Sequence, residues 1–188
     1  MFKRLNKRLR AFVTDSDGTV AVETVIMLPI LFWAFLATYV YFDAYRQTSI
    51  NNKAAYVVGD VLSRETDAID DAYIDGLKSL FVFLAKPDSD TKLRVTVVMW
   101  DEEDNTFKRD WTAGRGIAGL SNAEVAALDS KLPIMPDNER VILVETWSTY
   151  SPLFEVGLDQ SDIYNFIFTS PRFAPLLPWY EDIPEETS

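Results

Sequence analysis

Apolar positions are distributed along this chain in three ways, and each way predicts a different element. Between Gly18 and Phe42 they are nearly continuous: GTVAVETVIMLPILFWAFLATYVYF carries a single charge, Glu23, and the stretch from Val25 to Phe42 carries none. About 20 apolar residues cross a bilayer as a helix, so the run predicts a transmembrane helix over 19–44. Pro29 falls inside it and should kink or locally open the backbone ladder, which membrane helices tolerate. From Asp43 onward the pattern becomes periodic. Ile50, Ala54, Val57, Val61 and Leu62 come at helical spacing with no breaker stronger than Gly59. The helix is therefore expected to continue as an amphipathic extension over 45–64, for about 40 residues and roughly 60 Å in all. Ile69, Tyr73, Leu77, Leu80, Phe81 and Leu84 predict a second helix over 67–84, ended by Lys86-Pro87-Asp88.

Beyond that point the apolar runs are short and rich in β-branched and aromatic residues. LRVTVVMW at 93–100 and the segment from Thr106 to Trp111 predict a hairpin around the acidic tip 101–105, and RVILVETWSTY at 140–150 predicts a further strand. Ser121-Asn122-Ala123-Glu124 matches a capping box ahead of a short helix reaching Leu128. Gly114-Arg115-Gly116 and Gly119 mark a loop, the segment from Ile163 to Phe168 fits strand or helix, and Pro171, Pro175 and Pro178 predict an extended last stretch. The sum is an α+β fold: a long N-terminal transmembrane and amphipathic helix followed by a small antiparallel sheet with helices. One folded domain is expected over 65–180, with an acidic tail over 181–188.

Charge orients this plan. Lys3, Arg4, Lys7, Arg8 and Arg10 outnumber Asp15 and Asp17 ahead of the apolar run, yet the whole chain carries −11. Basic residues before a first membrane helix favour keeping that end in the cytoplasm. Residues 1–18 thus form a basic leader inside, and the acidic bulk lies outside the cytoplasm in a single-pass arrangement. An acidic domain argues against nucleic-acid binding, which needs a basic surface. The absence of Cys and His removes thiol nucleophiles, disulfides, imidazole bases and zinc sites of the Cys/His kind.

Glu23 is the residue that demands a reason, because a carboxylate within such a helix is costly. It is the fifth residue after Gly18. A short basic leader, Gly, then Glu fifth in the ensuing helix, with a proline further along the apolar run and a long amphipathic extension, resembles the processing and assembly signature of type IV pilins and their relatives. Among these, DSDGTVAVETVIMLPIL, YRQTSINNKAAYVVGDVLSRET, RVILVETWSTYSPLF and FTSPRFAPLLPW resemble the TadE/TadF-like minor pseudopilins of tight-adherence (Tad) pili. Thr24 stands where the major Flp pilins carry Tyr, and the soluble part is too large for a major subunit.

The resemblance implies a pilin-like fold and a site with defined roles. A prepilin peptidase would cut between Gly18 and Thr19. Glu23 would be the assembly residue, meeting the new amino terminus of a neighbouring pilin or pseudopilin subunit, and Pro29 would mark the helix kink. The protein would sit in the bacterial inner membrane with its C-terminal domain in the periplasm. It would contribute to assembly of a type IVc pilus used in adhesion, with no catalysis, no cofactor, no metal and no small-molecule substrate.

Other readings stand beside it. Glu23 could snorkel to the headgroups, leaving an uncleaved bitopic envelope protein whose acidic domain is an interaction module. A cleaved signal peptide is a third reading, although the run is long for one and no small-x-small site comes after it. Asp101, Glu103 and Asn105 alternate as in a calcium loop but lack its central Gly and distal Glu, so a solvated hairpin tip is expected. Gly114-Arg115-Gly116 lacks the Gly-Lys-Ser/Thr of a phosphate loop. The carboxylate pairs Glu102/Glu103 and Asp70/Asp71 are sequence neighbours, which does not set them across a cleft. Trp100, Trp111, Trp147 and Trp179 are expected in the core or at sheet edges.

Overall fold

The computed structural model describes residues 18–87 and 89–180; the basic leader through Asp17, Asp88 and the acidic tail from Glu181 lie outside the described residues. The chain opens with α1 (Thr19–Arg64), a single helix of 46 residues, roughly 70 Å long at 1.5 Å per residue. It runs on through Pro29, which leaves the carbonyl of Val25 without its usual helical donor. Thr24, Thr38 and Thr48 turn their hydroxyls back onto the carbonyls of Val20, Ala34 and Ala44, so their polar groups stay satisfied along the helix.

The chain divides into two compact units. The first holds the helix through Phe42 together with Leu153–Leu158; the second holds Asp43–Pro152 and the chain from Asp159. In the first, the helix is apolar all round and long enough to cross a membrane. Its large side chains from Val20 to Phe35 are exposed on every face, with Phe32, Trp33 and Phe35 at 56–67%.

The second unit is an α+β domain. After α1 come α2 (Asp71–Ala85), β1 (Lys92–Asp101), β2 (Thr106–Arg115), the short α3 (Asn122–Ala126), a 3-10 turn at Asp129–Lys131, β3 (Arg140–Tyr150) and β4 (Ser161–Thr169). The four strands form one sheet in the order β2-β1-β3-β4, antiparallel throughout. Strand alternation sends Leu93, Val95, Val97, Ile142, Val144 and Ile167 to one face, where they pack with Ala54, Ala55, Val58 and Leu62 of α1 and Ile74, Leu77 and Phe81 of α2. The other face carries a smaller core of Val98, Phe107, Val141 and Leu143, closed by Leu120, Val125 and Met135 from the segment around α3. The capping box of α3 is present: the Ser121 side chain accepts from the Glu124 N–H, and the Glu124 carboxylate accepts from the Ser121 N–H.

Three local expectations change, and one open reading is settled. The buried face of α1 is rotated from the one expected: Val57 is 42% exposed and Ile50 half-buried, while Asn51, Ala55 and Val58 are buried. A small Ala and a polar Asn carry weak apolar signal, so periodicity alone misplaces the angle. Helix α2 starts at Asp71 rather than 67, because the Asp70 carboxylate accepts from the Tyr73 N–H at 2.8 Å and caps it. Ile69 instead pairs with the end of the proline-rich stretch, donating to Pro178 and accepting from Tyr180. Gly114 and Arg115 lie inside β2, not in a loop. The chain just beyond the strand passes so close that a Cβ on Gly114 would collide with the Ile117 carbonyl oxygen. The ambiguous segment from Ile163 to Phe168 is the edge strand β4.

Candidate functional site

The Gly18–Glu23 segment is the first turn and a half of α1. The Gly18 carbonyl accepts from the Val22 N–H at 3.1 Å, closing the first turn and making Gly18 the residue that leads into the helix. A Cβ added at Gly18 would meet nothing within 4 Å, and its φ lies outside the left-handed region. Among the described residues, neither packing nor backbone conformation requires glycine there. Gly76, inside α2, shares that freedom, so the property gains meaning only from Glu23, five residues further along.

Residues 19 and 23 are four apart on the helix and so lie one turn from each other, about 6 Å along its axis. Glu23 is exposed, as are its apolar neighbours Val20, Val22, Val25 and Ile26. Among the described residues its carboxylate has no hydrogen-bond or ion-pair partner. Pro29 comes within two further turns. Among the described residues the segment thus presents one carboxylate without a partner on an exposed apolar surface, an arrangement that is costly in hydrocarbon.

A second carboxylate is treated in the opposite way. Glu145, in the middle of β3, is 4% exposed. It lies directly across from Arg94 of β1, which donates from Nε to Glu145 Oε2 at 2.7 Å, while Tyr164 of β4 donates to Oε1 at 2.8 Å. Arg94 also donates to the Ala118 carbonyl and sits 5.2 Å from the centre of the Trp147 ring, which in turn packs on Tyr164. Burial, then the bond to Glu145, pushes the Tyr164 phenol above its ordinary range. With both oxygens engaged, this group clamps three strands together. Sequence reasoning does not single out Arg94 and Glu145 as a pair. The one available signal is a lone carboxylate directly after the apolar run Val141–Val144.

The remaining candidates resolve structurally. At the hairpin tip the Lys108 ammonium pairs with both Asp101 and Asp104. These contacts hold Lys108 above its usual range, Asp101 contributing first, and hold Asp101 below its own. A lysine therefore already occupies the position a cation would take. Trp111 is buried and donates to the Leu177 carbonyl at 2.6 Å, with Trp179 stacked 5.1 Å away. Trp100 packs edge-on against Phe107. The bulge at Asp110, where Val97 faces Trp111 and Val98 faces Arg109, opens a cleft of about 300 Å³ lined by Arg109, Asp110, Trp111, Thr112 and Trp179. Asp110 is tied to Arg140 and Arg109 to the Leu120 carbonyl, so its charged groups are engaged from within. No family model, no curated protein sequence and no solved structure matches this chain.

Proposed function

We propose that the chain is a membrane-anchored minor pseudopilin of the TadE/TadF-like kind, contributing to assembly of a Tad (type IVc) pilus. One observation carries the reading. A carboxylate without a partner among the described residues, Glu23, stands on an exposed apolar helix five residues after a glycine that no described residue requires. In a pseudopilin both residues have a task. Gly18 lets a membrane peptidase approach the backbone and cut ahead of Thr19, and Glu23 neutralises the amino terminus so created on a neighbouring subunit. A long apolar helix leading into a small antiparallel sheet is the corresponding pilin-like plan. The basic leader favours a cytoplasmic start for the chain and a periplasmic acidic domain. The protein then acts by assembly, and its partners are the inner membrane, the prepilin peptidase and other pilin or pseudopilin subunits.

Amino-terminal sequencing of the protein purified from native membranes tests this. The expected start is Thr19, and Gly18→Leu should retain the full leader. A start at Met1 in the wild type would overturn the mechanism and leave an uncleaved anchor with a periplasmic interaction domain. If the start is Thr19, Glu23→Gln should leave processing intact and lower the amount of pilus on the cell surface at least tenfold, equivalent to about 1.4 kcal/mol or more of lost assembly free energy.

A further inference from the structure

We propose that residues 153–158 form a second membrane contact, an interfacial loop whose Leu153 and Phe154 enter the headgroup–acyl boundary beside the C-terminal end of the apolar helix. The inference rests on the reading of that helix as a membrane span. It does not depend on cleavage at Gly18.

Position is the first argument. Leu153–Leu158 belongs to the same compact unit as the helix through Phe42, although the residues on either side of it in sequence belong to the other unit. Between Val20 and Phe42 every residue is exposed except Leu36, Ala37 and Val40, which share one face over the last turns before Phe42. The loop supplies its own shielded residues to this unit, Val156 buried and Leu158 half-buried. The loop therefore lies at the level of those turns.

That level is the edge of the bilayer by the chain's own chemistry. Tyr39, Tyr41 and Tyr45 are exposed there and flank the first charges after the run, Asp43 and Arg46. Such a ring of tyrosines marks a membrane–water interface. Within the domain the Tyr150 hydroxyl donates to the Asp43 carboxylate at 3.2 Å, and Tyr150 stands three residues before Leu153 in sequence.

Its side chains suit that place. Leu153 is 70% and Phe154 44% exposed, next to a buried Val156 that anchors the turn. Large apolar groups on an irregular backbone fit the interface, where headgroups and water satisfy the peptide groups, and not the hydrocarbon centre. Glu155 and Asp159 limit the depth, and no Lys or Arg occurs between Ser151 and Asp162. The matching surface is a zwitterionic lipid leaflet, entered by apolar contact without attraction to anionic headgroups.

Because the chain has no cysteine, single-cysteine variants report the depth directly. Leu153→Cys, Phe35→Cys and Ile134→Cys replace exposed side chains. Each would be labelled with an environment-sensitive fluorophore on the full chain in phosphatidylcholine nanodiscs and quenched with lipids carrying a nitroxide at shallow or deep positions. The label at 35 is expected to respond most to the deep quencher and the label at 153 to the shallow one, at least threefold above the label at 134. A label at 153 that matches 134, with 35 still deep, overturns the loop contact and leaves the span intact. A label at 35 that is also aqueous overturns the span, and the loop contact with it.

Discussion

One helix, α1, spends its two halves in opposite circumstances. Through Phe42 its side chains are exposed on nearly every face, and its one carboxylate has no partner among the described residues. From Asp43 to Arg64 the same backbone geometry buries one face against the sheet, and the polar groups on that face are paired: Asn51 Oδ1 accepts from Ser148 at 2.7 Å, and Asn51 Nδ2 donates to the Gln47 carbonyl. Secondary structure is common to both halves. What differs is the solvent each was composed for. The first half has its hydrophobicity spread around the axis, as suits lipid, and the second has it on one stripe, as suits a core. The two carboxylates sharpen the point. Glu145 is almost inaccessible and has both oxygens engaged within the chain, whereas Glu23 is exposed and has no partner among the described residues.

The largest expected effect separates these carboxylates. Arg94→Met leaves Glu145 buried with only Tyr164 as a partner, which should cost about 3–5 kcal/mol of domain stability, as for other half-removed buried ion pairs. Glu23→Gln should change the same quantity by no more than about 0.5 kcal/mol. Guanidinium unfolding of the full chain in detergent micelles, followed by near-ultraviolet circular dichroism, measures both. Equal losses would mean that Glu23 is bound into the fold after all. Next in size is truncation within each half of the helix. Leu62 is fully buried, and Leu62→Ala should cost about 2–5 kcal/mol. Leu31, 68% exposed, should tolerate the same change within about 0.5 kcal/mol in that assay. If Leu31→Ala also destabilised the domain, the two halves would form one cooperative unit.

A smaller effect probes why the second half sits at one angle. The Asn51–Ser148 bond lies in the buried interface between α1 and β3, where an apolar face alone leaves rotation and sliding weakly specified. Ser148→Ala strands the Asn51 side chain and should cost about 1–3 kcal/mol, while the double variant Asn51→Leu/Ser148→Ala should recover most of that, because no unsatisfied group remains. A double-mutant cycle by the same unfolding assay tests it. Simple additivity of the two losses would show that the bond contributes nothing to holding the helix.

The same pair shows where sequence reasoning reaches and where it stops. Strands β1 and β3 are legible because aliphatic, β-branched and aromatic residues dominate them between turn signals, and the continuity of α1 is legible because nothing in 43–64 breaks it. Its buried face is not, since Asn51 at the middle of that face counts as polar in any periodicity and Val57 as apolar. Glu145 escapes notice for a related reason: its partner Arg94 is 51 positions away and meets it only through strand register. The spacing of Gly18 and Glu23 can be read directly, as near neighbours on one helix always can. That no neighbour needs Gly18 to be glycine takes coordinates to see. The loop 153–158 has no period to read at all, and only the folded chain sets it beside the helix.

The smallest effect is a pH dependence confined to the domain half. Burial, and then the hydrogen bond to Glu65, push the Tyr73 phenol from its ordinary value of 10.0 up to about 12. The folded state therefore holds this proton more tightly than the unfolded chain does. The associated stability is fully present below pH 10 and is lost as pH rises through 12. A two-unit difference corresponds to about 2.7 kcal/mol at most, but Tyr73 is only half-buried and its partner Glu65 lies near the surface, so screening should reduce the measurable loss to about 1 kcal/mol or less. Tyr164 is shifted in the same direction, so the wild-type slope alone cannot be assigned. The difference between wild type and Tyr73→Phe in unfolding midpoint from pH 9 to 12 isolates the contribution. A shallower slope in the variant is expected. An unchanged slope would move the alkaline sensitivity to Tyr164, and hence to the Arg94–Glu145 clamp on the outer face of the sheet, away from the face that α1 covers.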